Sequence, residues 1–181
     1  MILVNLYGAP GAGKSTGAAY IFARLKMMGV NAELVTEFAK DKVWEENKAV
    51  FDNQAYIFGK QYFKISRCAD KVDVIVTDSP LLLSLVYNDN PILGEEFNAL
   101  VRRVARSYNP VNFYLTREKD YNPIGRHQTE EESDQKGLEI KQMLDEERID
   151  YTTYPGCDAG YESIVIDVLR ELEKREKKSL L

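Results

Sequence analysis

A glycine-rich motif near the start of the chain constrains the fold more than any other feature. Residues 8–15 read Gly-Ala-Pro-Gly-Ala-Gly-Lys-Ser and match GxxxxGK[ST] at every fixed position. An apolar run, Ile2–Tyr7, precedes the motif, and a helical apolar pattern follows it from Lys14 to Met28. A strand, a glycine loop and a helix in this order are typical of a phosphate-binding loop (P-loop), because backbone N–H groups and a helix N-terminus attract phosphate.

The motif gives its residues individual roles. Lys14 is expected to reach the β- and γ-phosphates of ATP, and the Ser15 hydroxyl to ligate the Mg²⁺ that bridges the same oxygens. A glycine-rich turn without a ligand is the alternative. The residues expected to bind the nucleotide are Gly8, Ala9, Pro10, Gly11, Ala12, Gly13, Lys14, Ser15 and Thr16.

Strands and helices alternate along the rest of the chain. Apolar runs predict strands at 2–7, 32–36, 72–77, 111–115 and 149–154, and periodic apolar residues predict helices at 14–28, 51–65, 91–108, from 129 onward and at 161–172. The charged residues 174–181 are expected to fray. The pattern predicts an α/β fold with three layers: a parallel sheet of about five strands with helices on both faces, forming a single domain over 1–181.

Composition excludes several classes of protein. A hydrophobic fraction of 44% and a charged fraction of 29% are ordinary for a globular domain, and no apolar run reaches the ~18 residues that a membrane helix needs. Cys68 and Cys157 lie far apart, which argues against a disulfide framework and a zinc site. A cytoplasmic protein without a membrane partner is therefore expected. The net charge of −5 does not indicate nucleic-acid binding, although a local basic surface remains open.

Two carboxylates follow predicted strands. Asp78 ends the third strand and Glu37 follows the second. Because the carboxyl ends of parallel strands line the ligand crevice, either side chain is a candidate for deprotonating or orienting an acceptor hydroxyl, and Asp78 also for holding Mg²⁺. The alternatives are a helix N-cap for Asp78 and a favourable first-turn acid for Glu37.

Gln54, Phe58 and Gln61 share one face of a predicted helix. Two amides beside an aromatic ring suit stacking on a base and reading its edge, so this face is a candidate acceptor site. Core packing of Phe58 is the alternative, because Phe58 also lies on the apolar stripe of the helix.

Two arginines suit a lid over residues 117–137. Arg117 follows the fourth strand, and Arg126 lies in a loop that contains glycine and proline. Arginines at these places are expected to neutralise charge that develops during phosphate transfer, with a solvated charged loop as the alternative. Thr129 and Glu132 form a predicted capping box after the loop. The segment 154–160, between the last strand and the last helix, is a candidate contact for the nucleotide base.

The motifs together resemble a family. The segments GAPGAGKST, VTEFAK, TDSPL and YNPIGRHQTEEE are similar to those of small bacteriophage kinases related to thymidylate kinase, notably those acting on 5-hydroxymethyluridine in phage DNA. The VTEFAK segment is also similar to nicotinamide riboside kinases. The resemblance spans nearly the whole chain and implies that Lys14, Glu37, Asp78 and Arg126 are catalytic. It departs at Ser79, where thymidylate kinases usually have arginine, which favours an acceptor with a free hydroxyl and less local charge.

Three functions therefore remain open. The first is a kinase acting on 5-hydroxymethyluridine in phage DNA, and the second is a kinase for a free nucleoside or nucleotide. The third is an ATPase switch that makes no phosphorylated product. GTPases are not favoured, because no DxxG switch follows a predicted strand and the chain has no NKxD motif. The oligomeric state is left open by the sequence, with a homodimer among the alternatives.

Overall fold

We describe residues 1–38, 53–122 and 129–179 of a computed structural model. The strands and helices follow one another along the chain in the alternating order expected from the sequence. In chain order they are β1 (Ile2–Tyr7), α1 (Lys14–Met27), β2 (Ala32–Val35), α2 (Gln54–Ser66), β3 (Val74–Thr77), α3 (Leu83–Tyr87), α4 (Gly94–Ser107), β4 (Val111–Thr116), α5 (Glu130–Glu146), β5 (Thr152–Pro155) and α6 (Asp158–Ser179).

The five described strands form one parallel sheet in the order β2-β3-β1-β4-β5. Asn5 of β1 and Val35 of β2 both pair with Thr77 of β3, so these three strands end side by side. The loop after β1 therefore lies beside the segments after β2 and β3. The predicted α/β fold, with about five parallel strands, is confirmed.

Side chains on the two faces of the sheet build two separate cores. The odd-numbered residues of β1, such as Leu3, face a cluster contributed by α2, α3, α4 and α5. The even-numbered residues, such as Val4, face α1 and α6. Because both faces are covered, the central strands β1 and β3 are buried at every residue rather than at alternate ones, which is typical of parallel sheets. The three predicted layers are confirmed.

The structure corrects several predicted boundaries. A short helix, α3, was not predicted and buries Leu83, while β3 begins at Val74 and β5 at Thr152. The last helix begins at Asp158 and continues to Ser179, so the expectation of a frayed tail from residue 174 was wrong up to that point. Arg175 explains the extension, because its guanidinium donates to the backbone carbonyls of Met1 and Asn109 and to the Glu171 carboxylate.

The start of α5 has the predicted capping box. The Thr129 side chain accepts from the backbone N–H of Glu132, and the Glu132 carboxylate accepts from the backbone N–H of Thr129. These bonds satisfy two backbone donors at the helix end and so fix where α5 begins. Within the residues described, no helix is both long and apolar enough to cross a membrane.

Candidate functional site

The loop between β1 and α1 has a backbone that only glycine adopts readily. Gly8, Gly11 and Gly13 have φ of +145°, +84° and +87°. A side chain at Gly8 would also place its Cβ 2.7 Å from the carbonyl oxygen of Leu115. The three glycines of the sequence motif are therefore required by conformation, and they turn the chain sharply from the end of β1 into α1.

The N-terminus of α1 is open to an anion. Its cap residue is Gly13, which has no side chain to occupy the first N–H groups, and the first turn contains no acidic residue. Ser15 and Thr16 in that turn are exposed. Uncapped N–H groups and the positive end of the helix dipole favour binding of a phosphate group here.

The Lys14 side chain folds back over the loop. Its Nζ donates to the carbonyl oxygens of Gly8 at 2.8 Å and Ala9 at 3.0 Å. The ammonium group therefore lies on the loop whose N–H groups are expected to hold phosphate. Contact of Lys14 with the phosphates of ATP stays a prediction.

The segment after β5 packs directly against the P-loop. The backbone N–H of Gly156 donates to Thr116 O, and the Tyr161 hydroxyl donates to Gly13 O at 3.1 Å. A Cβ on Gly156 would lie 2.2 Å from the carbonyl oxygen of Ala12. The segment 154–160 was predicted only as a neighbour of the base. The contacts of Gly156 and Tyr161 with the P-loop were not predicted.

Replacing Gly156 by alanine is expected to destabilise the protein. The new methyl group would meet backbone oxygens at 2.2 and 2.8 Å, which cannot move without shifting the P-loop or β4. Overpacking of this kind costs about 1–3 kcal/mol. For a domain of this size we expect the melting temperature to fall by about 2–12 °C.

Gly59→Ala is the matched control, because Gly59 lies inside helix α2 and a Cβ added there would have no atom within 4 Å. It should leave the melting temperature unchanged or raise it, since alanine favours a helix over glycine by about 1 kcal/mol. Equal melting temperatures for Gly156→Ala and the wild-type protein would contradict the close contact described.

Asp78 joins the ends of β2 and β3. Its side chain is 3% exposed, and its Oδ1 accepts from the backbone N–H of Glu37 at 2.9 Å. A buried carboxylate is costly unless it is hydrogen bonded, so this bond stabilises the crevice beside the P-loop. The structure thus brings together the two carboxylate residues predicted from the sequence. Asp78 does not start a helix, since α3 begins at Leu83.

Helix α2 supports the segment after β2. Gln61 accepts from the backbone N–H of Phe38 at 3.1 Å and donates to the Thr77 hydroxyl at 3.3 Å. The Lys64 ammonium donates to the carbonyl of Thr36 at 2.8 Å. Both ends of the Gln61 amide are therefore engaged within the protein, where they position the residues around Glu37.

Phe58 and Gln54 are buried beside this amide. Phe58 packs edge-on against Phe97, with ring centroids 5.6 Å apart, as in the core-packing alternative. Gln54 donates from its amide nitrogen to the Ser84 hydroxyl at 3.2 Å. A role for Gln54, Phe58 or Gln61 in binding an acceptor stays a prediction.

Of the two predicted lid arginines, only Arg117 lies within the described residues. Arg117 forms ion pairs with Asp134 and, at 3.6 Å, with Glu130 of α5, and its guanidinium lies over the ring of Tyr121. To reach a triphosphate it would have to exchange these partners. Arg126 lies outside the described residues, so its role also stays a prediction.

A charged group flanks the crevice on the side of α3 and α5. The Lys136 ammonium lies 5.1 Å from the centre of the Tyr87 ring and pairs with Glu139 at 2.6 Å. Burial, followed by the nearby Glu37 and Glu139 carboxylates, raises the pKa of the Tyr87 hydroxyl. No pattern in the sequence links these residues.

Two oxygen donors were predicted for a magnesium ion. They are the exposed Ser15 hydroxyl and the carboxylate of Asp78. Mg²⁺ commonly takes one or two protein oxygens and completes its shell with phosphate and water. Among the residues that the structure describes, no group of three or more His, Cys, Asp or Glu side chains could hold a metal. Binding of Mg²⁺ by Ser15 and Asp78 together stays a prediction.

Helix α5 also contacts the P-loop, which was not predicted. Ser133 donates from its hydroxyl to the carbonyl of Pro10 at 2.7 Å, and Tyr114 donates to the carbonyl of Gly137 at 3.2 Å. A Cβ on Gly137 would lie 3.0 Å from the Cβ of Ala9. The sequence carried one signal of this approach, because an isolated glycine inside a helix often has a packing reason.

Comparison with known proteins is consistent with this architecture. A solved structure of NadR protein in complex with NR is similar, with a TM-score of 0.71 and 20% sequence identity. The match covers 94% of this chain and 51% of that chain, so this chain spans about half the length of the NadR protein. At such identity the likeness shows the fold alone.

A family match covers most of the chain. No curated protein matches the sequence. The AAA domain family, however, matches residues 3–162, which include the P-loop, the crevice carboxylates and helix α5. The match extends over most of the 181 residues. The chain therefore belongs to the AAA domain family.

Proposed function

We propose that the protein is an ATP-dependent phosphotransferase that moves the γ-phosphate to a hydroxyl of a nucleoside-type acceptor. The observation that carries the proposal is the placement of Asp78. Its buried carboxylate directly follows β3, the strand that pairs with β1 before the P-loop, and accepts from the backbone N–H of Glu37. A carboxylate at this position can hold Mg²⁺ in P-loop ATPases as well, and it is the second carboxylate residue beside it, Glu37, that favours transfer to an acceptor hydroxyl.

Each residue of the site has a distinct task in this proposal. The N–H groups of the P-loop and the Lys14 ammonium bind the phosphates and stabilise the charge that develops during transfer. Ser15 and Asp78 hold Mg²⁺, which supplies further neutralisation of that charge. Asp78 or Glu37 orients the acceptor hydroxyl and accepts its proton, and Arg126 is the proposed lid arginine.

Two acceptors fit the proposal. The sequence resemblance favours 5-hydroxymethyluridine in phage DNA. A free nucleoside is favoured by the similarity to NadR protein, solved in complex with NR, and by the charges on α4. There Arg102 and Arg106 pair with Glu147, so these arginines do not present an unpaired basic surface to a polymer.

Membership of the AAA domain family supports a second function, an ATPase switch. Such a protein hydrolyses ATP without a hydroxyl acceptor and responds to a protein partner. The two functions differ in where the γ-phosphate ends, and this difference can be measured.

The experiment uses γ-labelled ATP with Mg²⁺ and two sets of acceptors. One set is a panel of free nucleosides and nucleotides, and the other is DNA containing either thymine or 5-hydroxymethyluracil. Label in any acceptor supports the phosphotransferase, and the set that is labelled identifies the acceptor class. Label found only in inorganic phosphate, with every acceptor offered, would overturn the proposal in favour of the ATPase switch.

A further inference from the structure

The P-loop contains a turn whose central peptide can point in two directions. The backbone N–H of Ala12 donates to Ala9 O at 3.1 Å, which closes a four-residue turn with Pro10 second and Gly11 third. Gly11 has φ of +84°, the value of a type II turn. In a type I turn the peptide between Pro10 and Gly11 is flipped, so the Pro10 carbonyl and the Gly11 N–H exchange directions.

One buried side chain holds that peptide from outside the loop. The Ser133 residue is 0% exposed, and its hydroxyl donates to the Pro10 carbonyl at 2.7 Å. Arg117 donates to the same Oγ at 3.5 Å. Because Ser133 Oγ faces a cationic donor, its own proton is directed to the Pro10 carbonyl, and the two bonds reinforce each other.

Helix α5 is tightly packed at this contact. One turn after Ser133, Gly137 approaches Ala9 so closely that a Cβ there would be 3.0 Å from the Ala9 Cβ. The Tyr114 hydroxyl of β4 donates to the carbonyl of Gly137. The Ser133 hydroxyl is therefore held at a fixed place relative to the sheet, as a positioning group requires.

We propose that Ser133 is a positioning residue for the P-loop: its hydroxyl keeps the Pro10 carbonyl turned toward α5 and so keeps the Gly11 N–H available to phosphate. A carbonyl turned into the loop would repel the phosphate oxygens, whereas an N–H there attracts them. The inference rests on the proposed function only in its choice of MgATP as the ligand. It also links the predicted lid to the nucleotide site, since Arg117 bonds to the same hydroxyl.

The test compares Ser133→Ala with the wild-type protein in two ways. Calorimetry of MgATP binding should show a dissociation constant raised about fivefold to tenfold, the loss expected for one hydrogen bond of ~1 kcal/mol. In the protein without nucleotide, the ¹⁵N–¹H signal of Gly11 should shift or broaden, because its peptide is no longer held. Ser133→Thr, which keeps the hydroxyl, should restore both readouts, and a Ser133→Thr variant that melts like the wild-type protein but restores neither would overturn the inference.

Ser107→Ala is the matched control, because Ser107 donates to the carbonyl of Val104 over the same 2.7 Å but lies on α4. It should change neither readout. A lowered melting temperature in Ser133→Ala with an unchanged Gly11 signal would show a packing role only and overturn the inference. If the wild-type protein does not bind MgATP, the proposed function fails, and the Gly11 signal still decides whether Ser133 holds the loop.

Discussion

Replacing Lys14 by alanine is expected to lower the rate of phosphate transfer by at least about 100-fold, because it removes a charged donor from the place where negative charge develops. The ammonium group lies on the P-loop, where it donates to the carbonyls of Gly8 and Ala9. Transfer is measured with γ-labelled ATP at saturating acceptor. The dissociation constant of MgATP, measured separately, shows how much of the loss is binding.

The fold is expected to survive this change. Losing hydrogen bonds from one charged group costs roughly 1.5–3 kcal/mol, which lowers the melting temperature of a domain of this size by no more than about 12 °C. Lys174→Ala is a suitable control, because Lys174 lies near the end of α6 and pairs only loosely with Glu171 at 3.7 Å. Turnover of Lys14→Ala close to that of Lys174→Ala would contradict the assignment of the P-loop.

Asp78→Asn is expected to lower transfer by about 100- to 10,000-fold, the range associated with loss of a positioned acid or base. Asparagine keeps an oxygen that can accept from the backbone N–H of Glu37, so the crevice should keep its shape. Only the charge is lost. If Asp78 holds Mg²⁺, the Mg²⁺ concentration for half-maximal rate should also rise, whereas a base alone leaves it unchanged.

Asp78→Ala separates the chemical from the structural role. Alanine removes the partner of the Glu37 N–H as well as the charge, and a backbone donor left without a partner costs about 1–3 kcal/mol. We therefore expect Asp78→Ala to melt below Asp78→Asn, with a similar rate. Normal turnover and normal MgATP affinity in Asp78→Asn would mean that Asp78 serves only to join β2 and β3.

The fold could be predicted because its signals are local. A buried parallel strand such as β1 is a continuous apolar run, and the glycine motif determines the turn and the helix after it. The ends of elements were less predictable because tertiary contacts decide them. Tyr151 precedes β5 and packs against a core cluster instead of joining the sheet. Helix α6 extends further than predicted because Arg175 donates to the backbone carbonyl of Met1.

The site could be predicted in part for the same reason. Lys14, Glu37 and Asp78 lie where the ends of strands and the P-loop motif placed them. The contacts of Ser133 and Tyr161 with the loop depend on how distant segments pack, and neither residue belongs to a recognisable motif. Gln61 was predicted only in part. Helical spacing placed it on the same face of α2 as Gln54 and Phe58, but its hydrogen bonds to Phe38 and Thr77 follow only from the three-dimensional arrangement.

The fate of the γ-phosphate, followed by ³¹P NMR with ATP, Mg²⁺ and each acceptor in turn, tests the proposed phosphotransferase activity directly. We predict a phosphate monoester that forms at the rate at which ADP appears, and that is absent with Lys14→Ala. ADP that appears only together with inorganic phosphate, at a rate that no acceptor changes, would contradict it.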